Sequence, residues 1–255
     1  MIKKITSTNH PYVKHLVKLR QNRDYRYEHQ SLVIEGIKPI EELGRHIRFK
    51  SIATYNEAMI PLSSEADEIL IVNDTVMKKI SGMESPEGVV AEIPMPKPAS
   101  LQDLKFIIAL DGVSDPGNVG SILRTALALG WQGAFVLNDS CDPFNDKAIR
   151  ASRGATFHLP LSWGSLEELK NLVKGNQLTP LVAEIHGTEL AEMKDNKAIL
   201  LVLGNEAHGP SQEIKDFCQA VTIGMPGLME SLNVSVAGGI MMYTLLRTCS
   251  KSSIG

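Results

Sequence analysis

The sequence is poor in cysteine: Cys141, Cys218 and Cys249 are the three in 255 residues, and they stand far apart. That excludes a disulfide-dense secreted scaffold, and the close Cys pairing of a zinc site is missing, so no metal is expected. No apolar run approaches the roughly 20 residues of a membrane-spanning helix, and no membrane partner is expected. Lys3 and Lys4 are not followed by an apolar h-region, so a secretory signal is not expected either. There is no internal repeat, no long low-complexity tract, no Walker A loop and no G-x-G-x-x-G. These absences lead to the expectation of a cytoplasmic protein.

Hydrophobic residues make up 43% and charged residues 22%, enough apolar material for a core and too little charge for wholesale disorder. The net charge of −3 is unevenly spread. The first 50 residues hold eleven Lys/Arg and five Asp/Glu, a surplus of six, so the remainder carries −9. A basic end on an acidic body suggests contact with a polyanion, although a solvated charged surface would have the same composition.

Pro94, Pro96 and Pro98 alternate along one short stretch. They cannot continue a helix or sit in a central strand, and they favour a stiff linker. The chain is therefore divided into 1–98 and 99–255. The first part reads as a small α/β sandwich, with helices at 11–23, 37–43 and 74–80 and strands at 31–35, 50–54, 69–72 and 89–92. The second part reads as strands at 106–110, 134–137, 159–161, 181–185, 199–203 and 220–223. Helices at 116–129, 147–153, 165–174, 211–217 and 234–247 lie between and after them. Apolar strands separated by helices predict a parallel sheet covered on both faces.

Ligands of open α/β sheets bind beyond the carboxyl ends of strands, and three loops there stand out. The first, 111–121, is rich in Gly and small residues and opens a helix. Val119, Ile122, Leu123, Ala126 and Leu127 form that helix's expected buried stripe, with Arg124 projecting off it. An ordinary solvated arginine would project the same way. The second loop, 204–210 (GNEAHGP), sets Glu206 between glycines after the apolar ILLVL. That carboxylate could orient a donor or cap backbone N–H groups, and His208 beside it could be a base or a bystander. The third, 223–235, offers Ser231, Asn233 and Ser235 as helix caps. Gly238 and Gly239 inside the following helix cost roughly 1 kcal/mol each, which calls for close packing against a neighbour.

The ordered segments N-V-G-S-I-L-R, L-G-N-E-A-H-G-P and I-G-M-P-G-(x)3-S-L-N-V-S-V-A resemble the three signature motifs of the SpoU (TrmH-like) RNA methyltransferases of the SPOUT superfamily. The likeness spans about residues 106–247. Residues 7–19 and 32–40 more weakly resemble the ribosomal-protein-like RNA-binding domain fused ahead of that catalytic domain. The resemblance implies methyl transfer from S-adenosylmethionine to a ribose 2′-oxygen in structured RNA, either rRNA or tRNA. It also implies a homodimer and a C-terminal trefoil knot, which no ordinary topology rule predicts. By motif position it makes Arg124 the catalytic arginine, Asn118 its partner, Glu206 the second motif's carboxylate, and Ser231 and Asn233 the polar pair of the third. Gly204, Ile223 and Leu232, with Leu203 and Met225 beside them, correspond to positions around the cofactor. A base-methylating SPOUT enzyme and a non-catalytic RNA-binding or ribosome-assembly factor are the alternatives.

Arginine stays protonated near neutral pH. Two roles are open to Arg124: losing its proton in a cationic, desolvated pocket, or clamping a neighbouring phosphate bidentately and stabilising the developing oxyanion. The second is preferred, with Ser231, Asn233 or a phosphate oxygen taking the proton. Lys3, Lys4, Lys14, Lys18, Arg20, Arg23 and Arg26 are the expected RNA-docking cations. Tyr12, Tyr25 and Tyr27 could stack on bases or belong to the core.

Overall fold

A computed structural model describes residues 2–193 and 197–251. The chain forms two compact units: residues up to Lys97 with Phe144–Asp146, and Pro98–Pro143 with the residues from Lys147 on.

The first unit contains β1 (Ile2–Ile5), α1 (Pro11–Gln21), α2 (Arg23–His29), β2 (Ser31–Glu35), α3 (Ile37–Gly44), β3 (Phe49–Thr54), β4 (Ala66–Val72), α4 (Asp74–Ser81) and β5 (Val89–Pro94). Its five-stranded sheet has the order β1-β4-β3-β5-β2. β1, β4 and β3 are parallel, and β5 runs antiparallel to both its neighbours. Val13, Leu16 and Leu19 of α1 pack with Val76, Met77 and Ile80 of α4 on Val33, Ala53, Leu70 and Val90. The helix expected over 11–23 stops at Gln21. Asn22 is extended there, and its side chain accepts from Tyr25 N–H, so it caps α2 instead of continuing α1. β1 was not anticipated, because Ile2, Lys3 and Lys4 are exposed on an edge strand and Ile5 alone is buried, too little to give a period.

The second unit contains β6 (Phe106–Asp111), α5 (Pro116–Leu129), β7 (Gly133–Leu137), α6 (Asp146–Ser152), α7 (Ala155–His158), β8 (Leu161–Gly164), α8 (Leu166–Asn176), β9 (Thr179–Glu189), β10 (Ile199–Gly204), α9 (Gln212–Phe217), β11 (Gln219–Thr222) and α10 (Val234–Lys251). The six strands lie in the order β11-β9-β10-β6-β7-β8, and every neighbouring pair is parallel. On one face Ile107, Phe135, Val182, Leu200 and Val202 pack with Leu169 and Val173 of α8 and Ile214 of α9. The other face carries α10: a Cβ on Gly238 would lie 2.5 Å from Leu203 Cδ1. That close approach is the packing that offsets a glycine in the helix. α7 was not anticipated. The strand expected at 159–161 lies at Leu161–Gly164 instead, and Leu127, expected in the buried stripe, is 37% exposed.

The strand order sets the site. After β6 the chain moves to β7 and β8 on one side, then crosses to β9 and returns with β10 beside β6. Gly204 pairs with Asp111 at the carboxyl ends of these two central strands. That is a topological switch point, where the first two Gly-rich loops leave the sheet side by side.

Candidate active site

Each of the three loops is pinned by its own side chains. In the first, Asp115 caps α5 by accepting from Asn118 N–H at 2.8 Å, and Pro116 follows at the first helical position. In the second, Asn205 and Gly209 form a backbone bridge. Asn205 Oδ1 accepts from the N–H groups of Ala207 (2.9 Å) and His208 (3.1 Å). Gly209 has φ +69°, and a Cβ on Gly204 would lie 2.3 Å from Pro210 N, so the two ends of this hairpin loop meet with room for glycine alone. In the third, Asn233 Oδ1 caps α10, accepting from Ser235 N–H (2.9 Å), Ser235 Oγ (2.6 Å) and Val236 N–H (3.3 Å).

Glu206 ties the loops together. Its Oε2 accepts from Ser114 N–H (3.0 Å) and Ser114 Oγ (2.9 Å), and its Oε1 from Asp115 N–H (3.1 Å) and Asn118 Nδ2 (2.9 Å). Asn118 Oδ1 in turn accepts from Asn233 Nδ2 at 3.0 Å. Below this relay, Asn205 Nδ2 donates to Gly112 O (2.8 Å), and buried Asp111 accepts from Ser211 N–H (2.6 Å). Partial burial opposes ionisation of Glu206. The hydrogen bonds from Asn118, Ser114 and Asp115 outweigh it and hold the carboxyl at about 2. Four donors fill the four acceptor positions of a carboxylate. Glu206 is therefore an ionised anchor with no capacity left to take a proton. Asn233 Oδ1 is likewise occupied by the helix cap.

A cleft of about 530 Å³ opens beside the network. Leu203, Gly204, Ile223, Met225 and Leu232 line it, as do Glu206, Ser231 and Asn233. His208 lines it too, with its N–H held by Asn205. Asn118 and Arg124 lie outside this lining. Arg124 is exposed two turns into α5 and makes no hydrogen bond or ion pair among the described residues. Ser114, Glu184 and Lys215 escaped the sequence reading. Ser114 could have been found, since it is a small polar residue in the first loop. The other two carry no local signal. No group of three or more metal-ligating side chains occurs among the described residues.

In the first unit, Lys4, Lys14, Lys18 and Arg23 are exposed, and Lys3 is exposed and paired with Glu68 at 2.6 Å. Lys18 and Arg23 lie over the rings of Tyr25 and Tyr27. Arg20 is half-buried, 3.7 Å from Asp146. Arg26 corrects the expectation of an RNA-facing cation. It is 2% exposed, and its Nη1 donates to the carbonyls of Leu19 (2.9 Å) and Arg20 (3.1 Å), closing the end of α1. Tyr12 donates to buried Glu92 at 2.5 Å, which places its hydroxyl in the core network.

Residues 105–243 match the model of the SpoU rRNA Methylase family, and residues 10–91 match an MRM3-like substrate binding domain. The chain belongs to the SpoU rRNA methylase family. It is 30% identical to an uncharacterized tRNA/rRNA methyltransferase of Synechocystis, over 96% of this chain and 94% of that one. It is 27% identical to the 23S rRNA (guanosine(2553)-2′-O)-methyltransferase RlmP of Bacillus subtilis, over 96% and 99%. Its fold superposes on a crystal structure of AdoMet-bound rRNA methyltransferase from Sinorhizobium meliloti with a TM-score of 0.87, 26% identity, and coverage of 96% and 98%. The Glu206 relay thus lies within the residues matched to the SpoU family.

Proposed function

We propose that this SpoU protein transfers a methyl group from S-adenosylmethionine to a ribose 2′-hydroxyl of ribosomal RNA. The observation that carries the reading is the Glu206–Asn118–Asn233 relay, which fixes three strand-end loops around one cleft and leaves Arg124 uncommitted. The cleft fits the cofactor by its chemistry. Leu203, Ile223, Met225 and Leu232 supply apolar surface for a planar base, and the backbone at Gly204 supplies close approach. Its size lies within the usual range for small-molecule pockets.

S-adenosylmethionine supplies a methyl group already activated on a sulfonium, so the protein's tasks are binding, alignment and proton handling. Arg124 clamps the phosphate next to the target ribose with its planar fork and lowers the energy of the developing oxyanion. Glu206, Asn118 and Asn233 act as positioning residues, because their polar atoms are spent on one another and on the helix caps. The proton goes to a phosphate oxygen, directly or relayed through the Ser231 hydroxyl.

Residues 1–98 serve as the substrate-binding domain and 99–255 as the methyltransferase domain. Lys4, Lys14, Lys18 and Arg23 meet the RNA backbone. The enzyme works in the cytoplasm as a homodimer. Support for the dimer is the exposed stripe of Val236, Ile240 and Tyr243 at helical spacing on α10. The C-terminal trefoil knot belongs to the same reading.

The test is methyl transfer from labelled S-adenosylmethionine to separate pools of undermethylated rRNA and tRNA, with nucleoside mass spectrometry. A 2′-O-methyl nucleoside in rRNA, lost in Arg124→Ala, is expected. A methylated base would overturn the reaction type. Absence of both methylation and cofactor binding would favour a non-catalytic RNA-binding factor.

A further inference from the structure

The cleft has charged groups that the loop network does not use. β11 pairs with β9 through a break in register: Ala220 faces Val182, but Val221 faces Thr188. Residues 183–187 of β9 therefore stand against a single step of β11 and bow outward. Gly187 allows it, since a Cβ there would lie 2.5 Å from Val221 N. The bowed segment brings Glu184 and Ile185 to the cleft, and Lys215 of α9 lines the same wall. Lys215 Nζ lies 2.6 Å from Glu184 Oε2, while Glu184 Oε1 accepts from Ile185 N–H at 3.1 Å.

Both carboxylate oxygens of Glu184 are thus engaged, whereas an ammonium has three donors. The Lys215 side chain remains 36% exposed. It is the one Lys or Arg among the described residues lining the cleft, where Glu184 and Glu206 are the acidic ones. With both carboxylates already committed, Lys215 is the charged group of the cleft left to meet a ligand, and its sign complements the anionic α-carboxylate of S-adenosylmethionine.

We propose that Lys215, held in place by Glu184, binds the α-carboxylate at the amino-acid end of S-adenosylmethionine. The proposal rests on the reading of this cleft as the cofactor site. The bulge in β9 then has a use: it carries the carboxylate that aims the ammonium.

Titration calorimetry on the full chain tests it with three probes. These are S-adenosylmethionine, its decarboxylated analogue, and 5′-methylthioadenosine, which lacks the whole amino-acid end. Wild type is expected to bind S-adenosylmethionine about tenfold more tightly than the decarboxylated analogue, as for one partly exposed charge-assisted contact. Lys215→Met is expected to erase that preference while leaving methylthioadenosine affinity unchanged, and Lys215→Arg to retain part of it. Equal weakening of all three ligands in Lys215→Met would overturn the proposal, as would unchanged S-adenosylmethionine binding. A wild type that binds the two S-adenosyl ligands equally overturns it without recourse to any variant. A wild type that binds none of the three removes the cofactor reading itself.

Discussion

Replacing Glu206 by Gln removes the charge and keeps the shape, so it separates the carboxylate's bonding capacity from its volume. The amide NH₂ must replace one oxygen. At the Oε1 position it would face two donors, Asp115 N–H and Asn118 Nδ2. Asn118 could present its carbonyl only by flipping, which would break its bond from Asn233. At the Oε2 position it would face Ser114 N–H and Ser114 Oγ, and the hydroxyl can rotate to accept. The new amide should therefore settle with its NH₂ toward Ser114, and one backbone bond is lost. At a partly exposed site that costs about 1 kcal/mol. Glu206→Ala loses all four bonds and frees Asn118, costing about 2–4 kcal/mol after water replaces the partners. For a protein of this size the thermal midpoint should fall by about 2–4 °C for Glu206→Gln and at least twice that for Glu206→Ala. Cofactor affinity should fall in the same order, because the cleft loses its fixed wall. Equal loss in both variants would show that charge, not bond count, matters. An Ala variant within about 0.5 kcal/mol of wild type would refute the anchoring role.

Other expectations use different levers. The Glu206 carboxyl is held at about 2 in the folded state, below its ordinary 4.5, so its stabilisation is complete above the ordinary value and disappears as pH falls toward 2. The stability gap between wild type and Glu206→Gln should close over that window in acid-unfolding curves; a pH-independent gap would contradict it. Gly204→Ala forces a Cβ to within 2.3 Å of Pro210 N, a backbone atom that cannot step aside, and should cost about 1–3 kcal/mol. Gly227→Ala, with nothing within 4 Å, should leave melting unchanged; similar midpoints for the two would refute the close-approach argument. Arg124→Lys should retain cofactor affinity but lose most turnover at saturating RNA, and near wild-type turnover would sink the phosphate clamp. Lys14→Ala with Lys18→Ala should weaken RNA binding and lower the slope of log K against log salt by about 1–2. An unchanged slope would place the RNA elsewhere.

The parts of the fold that were legible in the sequence are those where local chemistry and final packing agree. α5 begins at the Asp115 cap with Pro116 and ends at Gly130 in left-handed conformation, and its expected bounds are the observed ones. The strands FIIALD and ILLVLG are buried at nearly every position, which is what a parallel sheet covered on both faces imposes. Legibility fails where a distant partner decides. Arg26 looks like any other cation in a basic stretch until α2 folds back and the carbonyls of Leu19 and Arg20 capture it. β1 gains its order from β4, more than 60 residues away, and not from any pattern of its own. The loops of the site were visible through their Gly, Asn and Ser content. Their cross-links were not, because Glu206 and its donors at Ser114 and Asn118 are separated by 92 and 88 residues of chain.

This division has a chemical consequence. The residue types that most suggest catalysis in the sequence, a carboxylate and two amides in the strand-end loops and helix starts, are those the fold engages most heavily: Glu206 is filled, and Asn118 and Asn233 each use the side-chain oxygen and one amide hydrogen. Glu206 accepts four bonds, and Asn118 joins it to Asn233, whose oxygen closes the first turn of α10. A side chain saturated in this way is a poor proton acceptor and a good fixture. Its value is to hold the cleft wall, the start of α5 and the start of α10 in one register before any substrate arrives, so that little reorganisation remains for the reaction. Among the described residues of the site, the groups with unused capacity are then Arg124, Lys215, Ser231 and the backbone of the cleft. On the proposed reading an already activated methyl donor asks for little more: Arg124 to hold a phosphate and steady an oxyanion, a phosphate oxygen reached directly or through Ser231 to take the proton, and a rigid frame between them.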